Sequence, residues 1–167
     1  YTFYEKMAEK YGAENLILTG HSLGGNVAQR VALKYNARMT IVYNPAPLYV
    51  RATAMYENPY VVENIQNIEN DIKGFTGRVL RINTEWDFLQ LSELADGVYL
   101  GEKITLVNSG DHGLDSIVND PAQVAELERI LAIEFGMSSI IDKKLQFIRS
   151  SREGISGVTK SQWIYLD

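Results

Sequence analysis

Six consecutive residues, Gly20-His21-Ser22-Leu23-Gly24-Gly25, have the types and the spacing for nucleophilic chemistry. They read G-x-S-x-G with one glycine more. An apolar run, Leu16-Ile17-Leu18, comes directly before them and a helical pattern directly after. A serine on a sharp strand-to-helix turn is held in a strained backbone conformation, with its hydroxyl in the open. Gly20 and Gly24 leave room for that turn, because a side chain at either place would meet the neighbouring strand or helix. The helix that follows aims its N-terminus at the place where negative charge develops. Ser22 is therefore the candidate nucleophile. A phosphate-cradling loop would need a lysine at its end, and Asn26-Val27 stand there instead.

A serine hydroxyl is a poor nucleophile at neutral pH. It needs a base to take its proton and an acid to hold that base in the right tautomer. The chain has 2 histidines. His21 lies inside the elbow, so its side chain is expected to turn away from the hydroxyl and to pack or bond locally. His112 remains, in Asn108-Ser109-Gly110-Asp111-His112-Gly113. It sits just after a strand, where the ligand-facing residues of open α/β sheets gather. The acid should also follow a strand end, and Asp87 does, in Asn83-Thr84-Glu85-Trp86-Asp87-Phe88. Glu85 is its nearest competitor. Asp111 and Asp115 are too close in sequence to His112 to orient it easily. The resulting order, Ser, Asp, His, is that of the α/β-hydrolases. The backbone N–H of Leu23 is one candidate oxyanion donor. The second normally comes from a loop after an earlier strand, and this chain begins one helix before the elbow.

The elements that must position these groups follow from hydrophobic periodicity. Residues 1–11 place Phe3, Met7, Ala8 and Tyr11 at helical spacing, with Gly12 as the cap. Leu16 to Thr19 reads as a buried strand. Val27, Ala28, Val31 and Ala32 make the apolar face of a helix from Gly25 to Tyr35. Met39 to Tyr43 is a second strand, closed by Asn44-Pro45-Ala46-Pro47. Residues 48–60 are irregular and aromatic, either a loop on the core or a wall over a greasy pocket. Val61, Ile65, Ile68 and Ile72 define a helix closed near Gly74, and Arg78 to Asn83 is a third strand. Val98 to Leu100 and Ile104 to Val107, split at Gly101-Glu102-Lys103, read as a hairpin or a bent final strand. Asp120-Pro121 opens a helix carrying Val124, Leu127 and Leu131 and ending near Gly136. A further helical stretch covers 138–148. The polar tail from Ser150, with Trp163-Ile164-Tyr165 near its end, is a linker or an extra strand.

This alternation predicts an α/β fold with helices over a mostly parallel sheet. About four strands are expected, with the N-terminal part of the sheet missing. Residues 1–149 would form the C-terminal portion of the domain and 150–167 a polar tail or linker.

At 167 residues, with 46% hydrophobic and 22% charged, the chain has enough material for one domain with a core. Its net charge of −5 leaves no basic footprint for nucleic acid. With 0 cysteines, disulfides and thiolate metal sites are excluded. No apolar run approaches membrane-spanning length. The chain opens on Tyr1 rather than Met and runs straight into a helix, which suggests a fragment or a processed product.

The segment Leu16 to Ala28 resembles the nucleophile elbow of the class 3 (fungal-type) lipases, and more closely that of their bacterial and phage relatives, the Mbeg1-like family. The resemblance extends to Val42-Tyr43-Asn44-Pro45-Ala46-Pro47, to the acid loop at Asn83–Asp87 and to the loop at His112, so it spans roughly residues 10–115. It implies an α/β-hydrolase fold and hydrolysis of carboxylic esters, often of lipids, with no metal or other cofactor. The implied partners are an ester or lipid substrate and, transiently, a lipid surface. Two rival readings stay open. One is a thioesterase or peptidase on the same fold. The other is a hydrolase-like domain kept for binding, motivated by the absent sheet half and oxyanion donor.

Overall fold

The computed structural model describes residues 1–51, 58–135 and 162–165. The chain enters on α1 (Thr2–Tyr11), which leads through a 3₁₀ turn into β1 (Leu16–His21). Then follow α2 (Leu23–Tyr35), β2 (Met39–Tyr43), the short β3 (Tyr49–Val50), α3 (Pro59–Gly74) and β4 (Arg78–Thr84). A 3₁₀ turn at Phe88–Gln90 precedes α4 (Leu91–Leu94), β5 (Gly97–Val98), β6 (Glu102–Leu106), α5 (Asp115–Val118), α6 (Pro121–Phe135) and β7 (Gln162–Tyr165).

The main sheet has the order β6-β4-β2-β1-β7. Four of its strands, β1, β2, β4 and β6, are parallel, and helices flank them. This is the expected α/β architecture, a mostly parallel sheet with helices over it. β7 runs antiparallel along the outer edge of β1, pairing Leu16 with Tyr165 and Thr19 with Gln162. Of the two alternatives for the tail, residues 162–165 take that of the extra strand.

Side chains alternate across a strand, so neighbours on β1 serve different cores. Leu18 joins Val42, Val79 and the faces of α2 and α3, through Ala28, Val31, Ala32, Ile65 and Ile68. Ile17 joins Ile41, Leu80, Ile82 and Leu106 beneath α5 and α6, through Ile117, Leu127, Ile130 and Leu131. Each fully buried aliphatic side chain contributes about 1.5–3 kcal/mol of burial free energy. The helix start expected at Asp120-Pro121 is capped as its residues dictate, and α3 opens in the same way. Asn58 accepts from the N–H of Tyr60 ahead of Pro59, and Asp120 accepts from the N–H of Ala122 beside Pro121.

Several expectations need correction. Phe3 is exposed, and Tyr4 is the residue that anchors α1, its ring stacked on Tyr35 at 4.4 Å. Val27 points outward from α2, and the polar Gln29 takes a fully buried place. Residues 97–106 form neither a hairpin nor one bent strand. β5 pairs antiparallel with β3 as a separate ribbon, and β6 joins β4 in parallel. The break falls at Gly101, where φ is +71° and a side chain would collide with the Val79 carbonyl. Glu102 and Lys103 therefore belong to the strand rather than the turn. In the aromatic stretch, Leu48 and Tyr49 are core, while Tyr60 is exposed on α3. The remainder of that stretch at 52–57 and the helical stretch 138–148 lie outside the described residues. Among those described, no helix is long and apolar enough to cross a membrane.

Candidate active site

All four parallel strands end at the same edge of the sheet, and each candidate residue lies at or just beyond such an end. Ser22 follows β1, Asp87 follows β4 and His112 follows β6.

The elbow is built as its glycines require. Ser22 has φ +55° and ψ −123°, a conformation that side-chain-bearing residues rarely adopt and that costs on the order of 1–3 kcal/mol. Its backbone is tied down on both sides. The N–H donates to the Tyr43 carbonyl at 3.2 Å, and the carbonyl accepts from the N–H groups of Gly25, Asn26 and Ala46. A side chain at Gly20 would collide with the carbonyl of Gly24, and one at Gly25 would come within 2.6 Å of the Pro45 ring. Gly20 and Gly25 are thus crowded positions, and Gly24 meets Gly20 through its own carbonyl. Leu23 opens α2, so its N–H has no acceptor within the helix. No strand precedes β1 among the described residues, so the loop that would bring a second oxyanion donor is absent from them.

Asp87 and His112 meet. Nδ1 of His112 lies 2.7 Å from Oδ1 of Asp87, whose side chain is wholly buried. The carboxylate can only accept, so Nδ1 carries the proton and Nε2 is left as the basic nitrogen. Asp87 is itself oriented by the N–H of Leu89 on Oδ1 and by Nδ2 of Asn83 on Oδ2. Glu85 is turned elsewhere, accepting from the N–H of Asn108, and Asp111 closes its own turn on the N–H of Gly113.

The acid and histidine loops are joined by a buried polar network that the sequence reading missed. Asn44, fully buried with φ +40°, sits one residue past β2. Its Oδ1 accepts from the N–H of Thr84 at 2.8 Å, and its Nδ2 donates to the Thr84 hydroxyl and to the His112 carbonyl. The Thr84 hydroxyl in turn donates to the Asp111 carbonyl. Ser109 accepts from the N–H of Glu85, and Trp86 donates its N–H to Gly110. Gln29 does similar work behind the elbow, donating to the Gly25 and Ala46 carbonyls and accepting from the N–H of Leu100. The available signal was the polarity of Asn44 and Gln29 at positions otherwise assigned to a strand end and an apolar helix face.

His21 departs from expectation. It bonds across the site rather than locally: Nε2 lies 2.8 Å from the His112 carbonyl, and the two rings are 4.7 Å apart. A carbonyl only accepts, so Nε2 of His21 carries a proton. Burial holds the His21 pKa below its usual value, outweighing the hydrogen bond to the His112 carbonyl, which raises it. The His112 ring also contacts that of Phe88, at 4.7 Å between centroids.

No family model and no curated protein matches the chain. Two solved structures are similar to it. One is wild-type AbyA5, at 14% identity and a TM-score of 0.49, with 88% of this chain and 50% of that one covered. The other belongs to LipS and LipT, two metagenome-derived lipolytic enzymes, at 16% identity and a TM-score of 0.39, covering 80% of this chain and 64% of that one. The chain thus spans half to two-thirds of the length of these structures. Likeness this faint says nothing of substrate.

Leu23, Trp86, Phe88, Leu91 and Leu94 are all exposed, near the elbow and the acid loop. A separate cavity of about 460 Å³ is lined by Arg51, Arg81, Glu93, Asp96, Tyr99 and Lys103. It contains none of the triad residues. Its charges are largely paired, with Glu93 bridging Arg81 and Lys103. Among the described residues no group of His, Asp and Glu gathers as a metal site.

Proposed function

We propose that this chain carries the nucleophile, base and acid of a serine hydrolase acting on carboxylic esters, with lipid esters the favoured substrates. The observation that carries the reading is the His112–Asp87 pair at 2.7 Å, on the sheet edge where the Ser22 elbow is held at φ +55°. In this scheme the Ser22 hydroxyl attacks the acyl carbon while Nε2 of His112 takes its proton. Asp87 fixes the imidazole and stabilises its charged form. The N–H of Leu23, at the positive end of α2, meets the developing oxyanion. His112 then returns the proton to the leaving alcohol, and an acyl-Ser22 intermediate remains. Water, deprotonated by His112, attacks that ester, releases the acid and restores the hydroxyl. The exposed apolar residues beside the site support an apolar acyl substrate.

The rival reading is a hydrolase-like domain kept for binding. Fluorophosphonate labelling with peptide mapping tests both. Covalent modification at Ser22, abolished in Ser22→Ala, is the expected result. An unlabelled Ser22 would remove the hydrolase reading in favour of the binding domain. Parallel oxyester, thioester and amide substrates separate the esterase from a thioesterase or peptidase, and a clear preference for amides would sink the lipid-ester assignment.

A further inference from the structure

We propose that His21 is a positioning residue for the candidate base, coupling the placement of His112 directly to that of Ser22. The proposal rests on the serine-hydrolase reading above.

The imidazole of His112 is constrained in three ways. Its Nδ1 is held by Asp87. Its ring contacts those of His21 and Phe88, each with its centroid 4.7 Å away. Its backbone carbonyl accepts from Nε2 of His21 at 2.8 Å and from Nδ2 of Asn44 at 2.9 Å. His21 supplies one of the two ring contacts and one of the two carbonyl donors, so it serves two of the three constraints. Among the described residues no other side chain touching His112 does both.

Its place in the chain gives this a purpose. His21 is the last residue of β1 and is bonded through one peptide link to Ser22. A shift of the elbow therefore carries the His112 clamp with it. Nucleophile and base lie 90 residues apart in sequence, and this side chain ties them through one peptide link and one hydrogen bond. Histidine suits the task because it combines a flat ring with an N–H at its far edge. Glutamine keeps a donor without a ring, and phenylalanine keeps a ring without a donor.

The test compares wild type with His21→Gln and His21→Phe, after circular dichroism has shown each to be folded. Two readouts are taken on the same preparations. One is kcat and KM for a short p-nitrophenyl ester, with the rate of fluorophosphonate labelling. The other is the downfield proton resonance of His112 Nδ1. In His21→Phe we expect kcat and labelling rate to fall at least tenfold, KM to stay within twofold, and the Nδ1 resonance to broaden or move upfield. His21→Gln should recover part of each loss. A His21→Phe protein with wild-type labelling and an unchanged resonance would overturn the proposal. So would a loss confined to KM. If wild-type Ser22 is not labelled at all, the hydrolase reading fails by itself. The resonance then decides the positioning role: unchanged in both variants, it refutes the role, and altered in His21→Phe with recovery in His21→Gln, it upholds it. Should His21→Phe not fold, the same comparison is made between wild type, His21→Gln and His21→Asn. An unchanged resonance and labelling rate in both would again refute the role.

Discussion

Asp87 and His112, 25 residues apart in sequence, form a 2.7 Å contact in which the carboxylate is wholly buried and the imidazole about four-fifths so. An acid held this way fixes which nitrogen of the base is free. Asp87→Asn can present an amide N–H to Nδ1 and so favours the tautomer with its proton on Nε2. Turnover of esters should then fall by about 10³- to 10⁴-fold with little change in KM, the consequence of a wrong tautomer. Steady-state kinetics on folded protein would check it, and a loss smaller than tenfold would argue that another carboxylate serves His112.

Ser22 stores strain that glycine would not. Ser22→Gly should be more stable than Ser22→Ala by about 1 kcal/mol, since only glycine occupies φ +55° without penalty. Both variants should be inactive. Urea denaturation of the pair is the measurement, and equal midpoints would mean that the elbow relaxes when the hydroxyl is gone.

Gly25 touches Pro45 so closely that Gly25→Ala forces the elbow and the 45–47 segment apart. Overpacking of this kind costs about 1–3 kcal/mol. Because the Ser22 carbonyl is bonded to the N–H groups of both Gly25 and Ala46, activity should fall along with stability. A stable variant with normal labelling of Ser22 would show the contact to be soft.

Asn44→Ala removes one acceptor and two donors from a site without water access and leaves the Thr84 N–H and the His112 carbonyl short of partners. Each such loss costs about 1–3 kcal/mol. A destabilisation of roughly 3 kcal/mol is expected, with Asn44→Asp little better because it restores the acceptor alone. Chemical denaturation would reveal it, and a shift below 1 kcal/mol would mean that the network is not shared by the two loops.

The lowered pKa of His21 has a definite sign. Its folded value lies below the unfolded one, so the unfolded chain binds the extra proton first. The stability this contributes is present above the unfolded value near 6.5 and is lost as pH falls through the folded value. Wild type should therefore lose stability from pH 7 towards pH 5 more steeply than His21→Gln. Parallel slopes in that window would show that His21 does not contribute.

The elbow was legible because every part of its signal is local: glycines at fixed offsets, a strand before and a helix after. The end of β4 narrowed the acid to Glu85 or Asp87, and the fold separates them: Asp87 meets His112, while Glu85 accepts from the Asn108 N–H. What the sequence hid is what neighbours in sequence cannot specify. The turning of His21 toward His112 depends on how β1 and β6 lie in one sheet, which no pattern within the elbow encodes. The burial of Tyr4 in place of Phe3 depends on Tyr35 being there to stack against. Val98 looked like the start of a final strand because its neighbours are apolar, yet its partner is Tyr49, in a segment whose pairing only the folded chain brings near. Asn44 and Gln29 were passed over for a related reason. A polar side chain inside an apolar pattern becomes meaningful only when its partners are known.

The antiparallel run of β7 along β1 has a consequence for solubility. β1 is an apolar strand, Leu16-Ile17-Leu18, and an uncovered edge of that kind is a template on which another chain can add its own strand. Residues 162–165 occupy that template from within the molecule. Among the described residues the sheet's two edge strands are β7 and β6, and β6 carries the charged, exposed Glu102 and Lys103, a pattern that discourages stacking of copies. Cutting away the last strand would lay bare the apolar edge of β1, and self-association would then grow with concentration.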